Sequence, residues 1–124
     1  MRGDDAHLFD IVEAADRIAD YISGTERSLF LAHNMMKAAV VREIEIIGEA
    51  THRVTSAFKD NNPGIPWKDL ERLRNFYIHV YDRVNYERVW VTACNTIPPI
   101  AANIRRLLPA DDPSVSSEGS CQSE

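Results

Sequence analysis

Three residues close together in the chain, Arg74, His79 and Tyr81, carry side chains that could act on a phosphate ester. An arginine binds a phosphate through two donors, a histidine exchanges a proton near neutral pH, and a tyrosine hydroxyl donates or accepts a hydrogen bond. Such groups could cleave RNA without a metal: a base takes the 2′-hydroxyl proton, an acid protonates the leaving 5′-oxygen, and a cation stabilises the charge on phosphorus. A histidine near a helix end is more often a cap or a packed surface residue, so residue types alone do not identify this reaction.

The spacing of Arg74 and His79 limits how the two side chains can act together. On a regular α-helix, residues five apart point in directions that differ by roughly 140°. We therefore expect the helix to loosen near His79, or a second copy of the segment to face the first, or both.

Apolar periodicity predicts the elements that position these residues. Steps of three and four residues predict an amphipathic helix over Leu8–Ile22, ended by Ser23-Gly24. A second, longer helical pattern follows Thr25, which could cap it, and runs to Phe58. Gly48 interrupts this pattern and costs about 1 kcal/mol in a helix, so we expect another helix to cross close to it.

The rest of the domain predicts two further helices. Residues 60–64 form a loop signal, and Pro66 suits the first turn of a third helix that ends near His79–Asp82. A fourth helix is expected over Val84–Leu107, bent or broken by Pro98-Pro99. No β-type alternation competes with these patterns, so we predict an all-α fold, an up-and-down bundle of four to five helices.

The chain divides into a helical domain over residues 1–108 and a polar, acidic tail over residues 109–124, whose composition predicts disorder. The net charge is −5 overall, but residues 66–108 carry a net charge of +3. A local basic patch around the motif could therefore attract a phosphate chain. An unevenly charged, solvated surface accounts for the same counts equally well.

We predict no metal and no cofactor. Cys94 and Cys121 form no metal-binding pair, and His7 and His33 have no partners at metal-ligand spacing, so we expect both histidines at the surface. The N-terminal residues do not have the layout of a signal peptide, and no apolar stretch approaches the roughly 20 residues needed to cross a bilayer. These features favour a cytoplasmic protein.

A set of polar residues on the second predicted helix could support the motif. Arg42 and Glu49 are seven apart and share one helix face, with Glu45 and His52 near it. They could form a polar network with the motif helix, or an ordinary ladder of surface ion pairs.

Several sequence blocks resemble a known family. The segment Arg74–Tyr81 matches the R-x4–6-H-x-Y signature of HEPN domains. The blocks Arg42–Ala50, Pro63–Trp67 and Val89-Trp90 resemble, in the same order, the HepT branch of that superfamily. The resemblance extends from Leu8 to Leu108, and several ordered blocks are more specific than the short motif alone.

The resemblance implies a helical bundle that dimerises with its two motif segments facing each other. It implies a toxin endoribonuclease that is paired with an antitoxin, a small nucleotidyltransferase of the MNT type. In that family's pattern Arg74 is the phosphate clamp, His79 is the acid/base, and Tyr81 is the residue to which the antitoxin can transfer AMP. Asn75, next to the arginine, could act as a helper. A bulky phosphodiester on Tyr81 would occupy the substrate phosphate position and add negative charge there.

Two other functions remain open at this point. The chain could be a non-catalytic interaction module that binds a nucleotidyltransferase, or a generic bundle in which the motif residues only tie helix ends together. The intact Arg74, His79 and Tyr81 favour the ribonuclease, although the RNA target does not follow from the sequence.

Overall fold

The computed structural model describes residues 3–75 and 84–109. Within these ranges the chain is helical and contains no β-strand, which confirms the all-α prediction. None of the described helices is long and apolar enough to cross a membrane. Residues 110–124 of the predicted tail lie outside the described ranges.

The elements in chain order are α1 (Gly3–Ile22), α2 (Arg27–Ala32), α3 (Asn34–Arg53), α4 (Ser56–Asn61), α5 (Trp67–Glu71), a 3₁₀ segment (Arg72–Asn75), α6 (Tyr86–Val91), a π-helical turn (Thr92–Thr96) and α7 (Ile97–Arg105).

The two longest helices, α1 and α3, form an antiparallel pair. Asp4, in the first turn of α1, meets Thr55, just beyond the end of α3: the Thr55 backbone N–H and hydroxyl both donate to the Asp4 carboxylate, at 2.9 and 2.8 Å. The helices α7 and α5 pack against this pair and complete the apolar core. The largest side chains with almost no exposed surface are Leu8, Ile11, Ile18, Phe30, Ile44, Ile47, Leu70 and Ile104.

A buried carboxylate fixes the register between α1 and α3. Only 6% of Glu43 is exposed, and its two oxygens accept hydrogen bonds from Arg17 Nε at 2.9 Å and from the Tyr21 hydroxyl at 3.1 Å. A buried charge without such partners would be strongly destabilising. The hydrogen bonds therefore hold α3 at one position along α1.

The prediction of one long second helix is wrong, because side-chain caps divide that stretch into α2, α3 and α4. His33 adopts an extended backbone conformation, and its Nδ1 accepts a hydrogen bond from a backbone N–H in the first turn of α3. Thr55 caps α4 in the same way. Glu26, not the predicted Thr25, occupies the cap position of α2. Local side-chain hydrogen bonds of this kind compete with helix continuation, and apolar periodicity does not report them.

The C-terminal helical stretch accommodates its two prolines without leaving the helical conformation. Pro98 and Pro99 lie in the first turn of α7, directly after the π-helical turn Thr92–Thr96. A proline lacks the N–H donor and crowds the carbonyl four residues earlier, and the wider π turn relieves that crowding. The chain therefore stays helical across the prolines, with a local widening of the helix and no break.

The motif arginine lies on a short 3₁₀ segment that rests on α3. Helix α5 begins at Trp67, directly after Pro66, and ends at Glu71, where the chain tightens into the 3₁₀ segment. A Cβ atom added to Gly48 would collide with the Arg74 backbone nitrogen, and would lie 2.6 Å from the Arg74 Cα and 2.7 Å from the Leu73 carbonyl carbon. This contact confirms the close crossing predicted at Gly48. The predicted helix end near His79–Asp82 lies outside the described residues.

Aromatic packing anchors the start of α5. Trp67 is buried, its Nε1 donates a hydrogen bond to the Asn62 carbonyl at 2.9 Å, and its ring meets Phe58 edge to face. Leu70 and Leu73 are buried further along the same segment. Anchors on both sides of Glu71 therefore hold the backbone that carries Arg74.

Replacing Gly48 with Ala tests the backbone contact. Alanine in a helix is ordinarily about 1 kcal/mol more favourable than glycine, but the added Cβ must push the 3₁₀ segment away, and overpacking costs about 1–3 kcal/mol. We expect Gly48→Ala to lower the free energy of unfolding in urea. In contrast, Gly64→Ala, where a Cβ meets nothing within 4 Å, should change it little. A Gly48→Ala protein as stable as the original would contradict the close contact.

Candidate functional site

The Arg74 side chain is positioned by an ion pair with α3. Its Nε lies 3.2 Å from Glu49 Oε1, and 38% of the side chain is exposed. Glu49 directly follows Gly48, the residue on which the Arg74 backbone rests. Two consecutive residues of α3 thus hold the backbone and the side chain of the motif arginine.

Glu49 also pairs with Arg53, one helical turn later. Arg53 Nε donates a hydrogen bond to Glu49 Oε2 at 3.1 Å. That hydrogen bond lowers the pKa of Glu49 below its ordinary value of 4.5, partial burial opposes the shift, and Arg74 and Arg53 lower the pKa further by their charge. Glu49 therefore stays ionised near neutral pH and remains available to hold Arg74.

A second set of polar contacts lies at Glu71, directly before the 3₁₀ segment. Lys59 of α4 donates a hydrogen bond to Glu71, the last residue of α5, and this hydrogen bond lowers the pKa of the Glu71 carboxyl. His52 Nδ1 lies 4.0 Å from the same carboxylate. Helices α3 and α4 therefore both contact α5 immediately before the 3₁₀ segment.

Beside Arg74 lies an open cleft with a volume of about 410 Å³. Its lining combines the apolar residues Ile46 and Ala50 with polar residues from the first turns of α1 and from α3. The charged and titratable side chains that line it are His7, Asp10, Arg42, Glu45, Glu49, Arg53 and Arg74. The arginines of this lining can bind an anion, and its carboxylates can accept hydrogen bonds from a ligand.

Metal ligands are not gathered in this region. Within residues 3–75 and 84–109, no group of three or more His, Cys, Asp or Glu side chains stands close enough to hold a metal ion.

The structure describes only part of the predicted motif. Arg74 and the backbone of Asn75 belong to the 3₁₀ segment, whereas His79 and Tyr81 lie outside the described residues. Whether the motif side chains meet therefore stays a prediction.

The polar residues of α3 fit both of the alternatives that the sequence leaves open. Glu49 takes part in a contact with the motif segment and in an ordinary helical pair with Arg53. Arg42 lies 4.0 Å from Glu45, as in a surface ladder. His52 reaches Glu71 of α5 rather than the motif arginine.

Sequence reasoning missed the contribution of α1 and of Arg53 to the cleft. His7, expected at the surface, is half-buried and lines the cleft together with Asp10. His33 is at the surface as predicted, and it also caps α3. His7 and Asp10 are three residues apart, so the sequence does indicate that they share one face of α1. That this face borders the cleft follows only from the packing of α1 against α3.

A double-mutant cycle tests the Glu49–Arg74 pair. We expect Glu49→Gln and Arg74→Gln to show a coupling of about 0.2–1 kcal/mol near pH 7, the range of partly exposed ion pairs. Because the folded-state pKa of Glu49 is lowered, this stabilisation is present above the ordinary value of 4.5 and is lost as the pH falls through the folded value. Urea denaturation at several pH values measures both quantities.

The matched control for that cycle is Arg72. Arg72 lies on the same 3₁₀ segment but pairs with Asp69 at 2.8 Å. The cycle of Glu49→Gln with Arg72→Gln should therefore show almost no coupling. Equal coupling to both arginines would mean that the Glu49–Arg74 contact is not specific.

Comparison with known proteins identifies a family. The family model described as ribonuclease HepT-like matches residues 11–107. Two proteins of Methanocaldococcus jannaschii named as candidate RNases share 32% and 36% identity with the chain, over 80% and 83% of its length and 91% and 85% of theirs. A Thermococcus cleftensis protein named as a probable ribonuclease HepT is 34% identical over 82% of this chain and 92% of its own length. No solved structure matches the chain significantly.

The family match spans α3 and the 3₁₀ segment that rests on it, together with most of α1 and the C-terminal helices. The relatives match over most of their own length as well as over most of this chain. The similarity therefore covers most of the helical domain rather than one short motif. The chain belongs to the HepT-like ribonuclease family.

Proposed function

We propose that the protein is a metal-independent endoribonuclease that acts as the toxin of a toxin–antitoxin pair. The observation that carries the proposal is the intact motif Arg74–Tyr81 in a chain of the HepT-like ribonuclease family, with its arginine held at the edge of an open cleft. A relative named as a probable ribonuclease HepT supports the same reaction class.

Arg74 is the phosphate clamp in this proposal. Its backbone is fixed against Gly48, and its side chain contacts Glu49 through Nε. Contact at that position leaves the two terminal nitrogens of the guanidinium to bind phosphate oxygens in a bidentate fashion. The ion pair thus orients the arginine without using the donors that the substrate needs.

His79 supplies the proton transfers. The neutral imidazole takes the proton of the ribose 2′-hydroxyl, and the 2′-oxygen attacks phosphorus as the bond from phosphorus to the 5′-oxygen breaks. An imidazolium protonates the leaving 5′-oxygen, so the products are a 2′,3′-cyclic phosphate and a 5′-hydroxyl end. Arg74 stabilises the negative charge on the phosphoryl oxygens, while Asn75 and Tyr81 serve as hydrogen-bonding helpers.

A homodimer with facing motif segments completes the site. Five residues separate Arg74 from His79, so a single regular helix would direct the two side chains apart. A second copy related by two-fold symmetry brings a second pair of motif side chains opposite the first. One histidine can then act as the base while the other acts as the acid.

Replacing His79 with Ala tests the reaction. Losing a general acid–base typically costs about 10²–10⁴-fold in rate, so we expect cleavage of single-stranded RNA to fall by at least about 100-fold. The control His52→Ala removes a half-exposed imidazole outside the motif and should retain activity. Cleavage is followed on labelled RNA in the presence of EDTA, and the product ends are assigned by mass spectrometry.

Three results would contradict the proposal. Undiminished cleavage in a folded His79→Ala protein removes the acid/base assignment. Dependence on an added divalent cation removes the metal-independent mechanism. A wild-type chain that cleaves no RNA yet binds a nucleotidyltransferase supports the interaction module instead.

Regulation in this proposal is by modification of Tyr81. The antitoxin, a nucleotidyltransferase of the MNT type, transfers AMP from ATP to the tyrosine hydroxyl and releases pyrophosphate. The added phosphodiester carries a negative charge and is bulky, so it competes with the substrate phosphate for Arg74. The toxin is therefore silenced without being unfolded.

Incubation with the neighbouring nucleotidyltransferase and ATP tests this regulation. We expect the peptide that contains Tyr81 to gain the mass of one adenylate, with a parallel loss of RNA cleavage, and Tyr81→Phe to gain none. Tyr86→Phe is the matched control, since Tyr86 begins α6 outside the motif, and it should still be modified. Modification of Tyr81→Phe to the same extent would show that another residue is the target.

A further inference from the structure

The cleft beside Arg74 has a composition that does not suit a phosphate chain alone. Its volume of about 410 Å³ falls within the roughly 300–1,000 Å³ of small-molecule sites. Positive and negative side chains line it in equal number, namely Arg42, Arg53, Arg74, Asp10, Glu45 and Glu49. A groove for the backbone of a nucleic acid carries an excess of positive charge. The balanced lining fits a part of the substrate that is uncharged and rich in hydrogen-bonding groups.

Glu45 is a partly buried member of this lining, and its carboxylate accepts no hydrogen bond from the described part of the chain. Only 22% of its side chain is exposed, and burial raises the pKa of its carboxyl. The nearest cation within the described part of the chain is Arg42, whose Nη1 lies 4.0 Å from Glu45 Oε1, beyond hydrogen-bond distance. A partly desolvated carboxylate gains most from a ligand that brings donors to it.

Glu45 and Arg74 line the same cleft, so one bound nucleotide can contact both of them. Glu45 precedes Glu49 by one helical turn, a rise of about 6 Å along α3, and Glu49 is the residue that contacts Arg74. A nucleotide whose phosphate lies at Arg74 therefore has its own base, or the neighbouring base, within reach of Glu45. Ile46 and Ala50 give the same cleft an apolar surface against which the base can pack.

We infer that this cleft is a guanine subsite for the RNA strand, in which Glu45 accepts from the base N1–H and N2–H and Arg42 donates to its O6. The inference rests on the proposed ribonuclease function. Guanine presents two adjacent donors beside an acceptor, and a carboxylate next to an arginine presents the complementary pattern. Single-stranded RNA exposes this Watson–Crick edge, which a protein can therefore read.

Binding to a non-cleavable RNA tests the subsite separately from the reaction. We use 2′-O-methyl oligonucleotides, which lack the attacking hydroxyl, with either a single guanine or a single inosine in an otherwise uridine strand. Inosine lacks only the N2 amino group, so it removes one of the two donors to Glu45. A bidentate base contact is worth about a tenfold preference or more, and we expect the wild-type chain to bind the guanine strand about tenfold more tightly.

Glu45→Gln is the decisive variant, because it replaces one carboxylate oxygen with a donor while keeping the shape of the side chain. The ratio of guanine to inosine affinity should fall to near one, and as a ratio it does not depend on the folded fraction of the sample. Glu13→Gln is the matched control, since Glu13 also lies on a long helix and pairs with an arginine, but outside the cleft. That control should keep the full preference.

The outcomes separate the subsite from the proposed function. A wild-type ratio near one, a preference for inosine, or a preference that survives Glu45→Gln overturns the guanine subsite. Tighter binding of a strand in which adenine or cytosine replaces the guanine overturns it as well. Failure of the wild-type chain to cleave any RNA overturns the ribonuclease proposal, and the guanine-to-inosine ratio still reports on the subsite in that case.

Discussion

The arrangement of the site depends on one backbone contact, that between Gly48 of α3 and the 3₁₀ segment at Leu73 and Arg74. Only a hydrogen atom fits between the two backbones, because a Cβ on Gly48 would lie 2.6 Å from the Arg74 Cα. The neighbouring residue, Glu49, pairs with the arginine side chain at 3.2 Å. One turn of α3 thus determines both the position of the backbone at Arg74 and the contact made by its guanidinium group.

That turn of α3 is itself held by the rest of the bundle. The antiparallel partner α1 is tied to α3 by the buried Glu43 carboxylate in the middle and by the Asp4–Thr55 contacts at one end. The opposite segment is anchored by Trp67 and by the buried leucines of α5 and the 3₁₀ segment. In the proposed ribonuclease this support holds Arg74 in place before the substrate binds, as catalysis by positioned groups requires.

The same face of α3 serves two purposes in the proposals made for this protein. Residues three or four apart along it, from Arg42 to Arg53, line the cleft, and one of them, Glu49, also holds Arg74. The two positive and two negative charges on this face of α3 cancel, whereas residues 66–108, later in the chain, carry a net positive charge. In the proposed ribonuclease, Arg74 binds the phosphate, and the cleft beside it, with its positive and negative side chains, binds a base.

The sequence by itself determined the helical class, the motif and its family, and the close crossing at Gly48. These features are local: apolar steps along a helix, a spaced set of side chains, and a glycine where a glycine is costly. The sequence did not predict that the long helix is divided at His33 and near Thr55, because side-chain hydrogen bonds decide where a helix is capped. At Thr55 the cap also depends on Asp4, a residue distant in sequence. Only the tertiary structure decided that Glu49 contacts Arg74. It also decided that α1 supplies His7 and Asp10 to the cleft. Periodicity tells which face of a helix is apolar, but contacts between polar side chains of different elements exist only once those elements are packed at a particular distance and register.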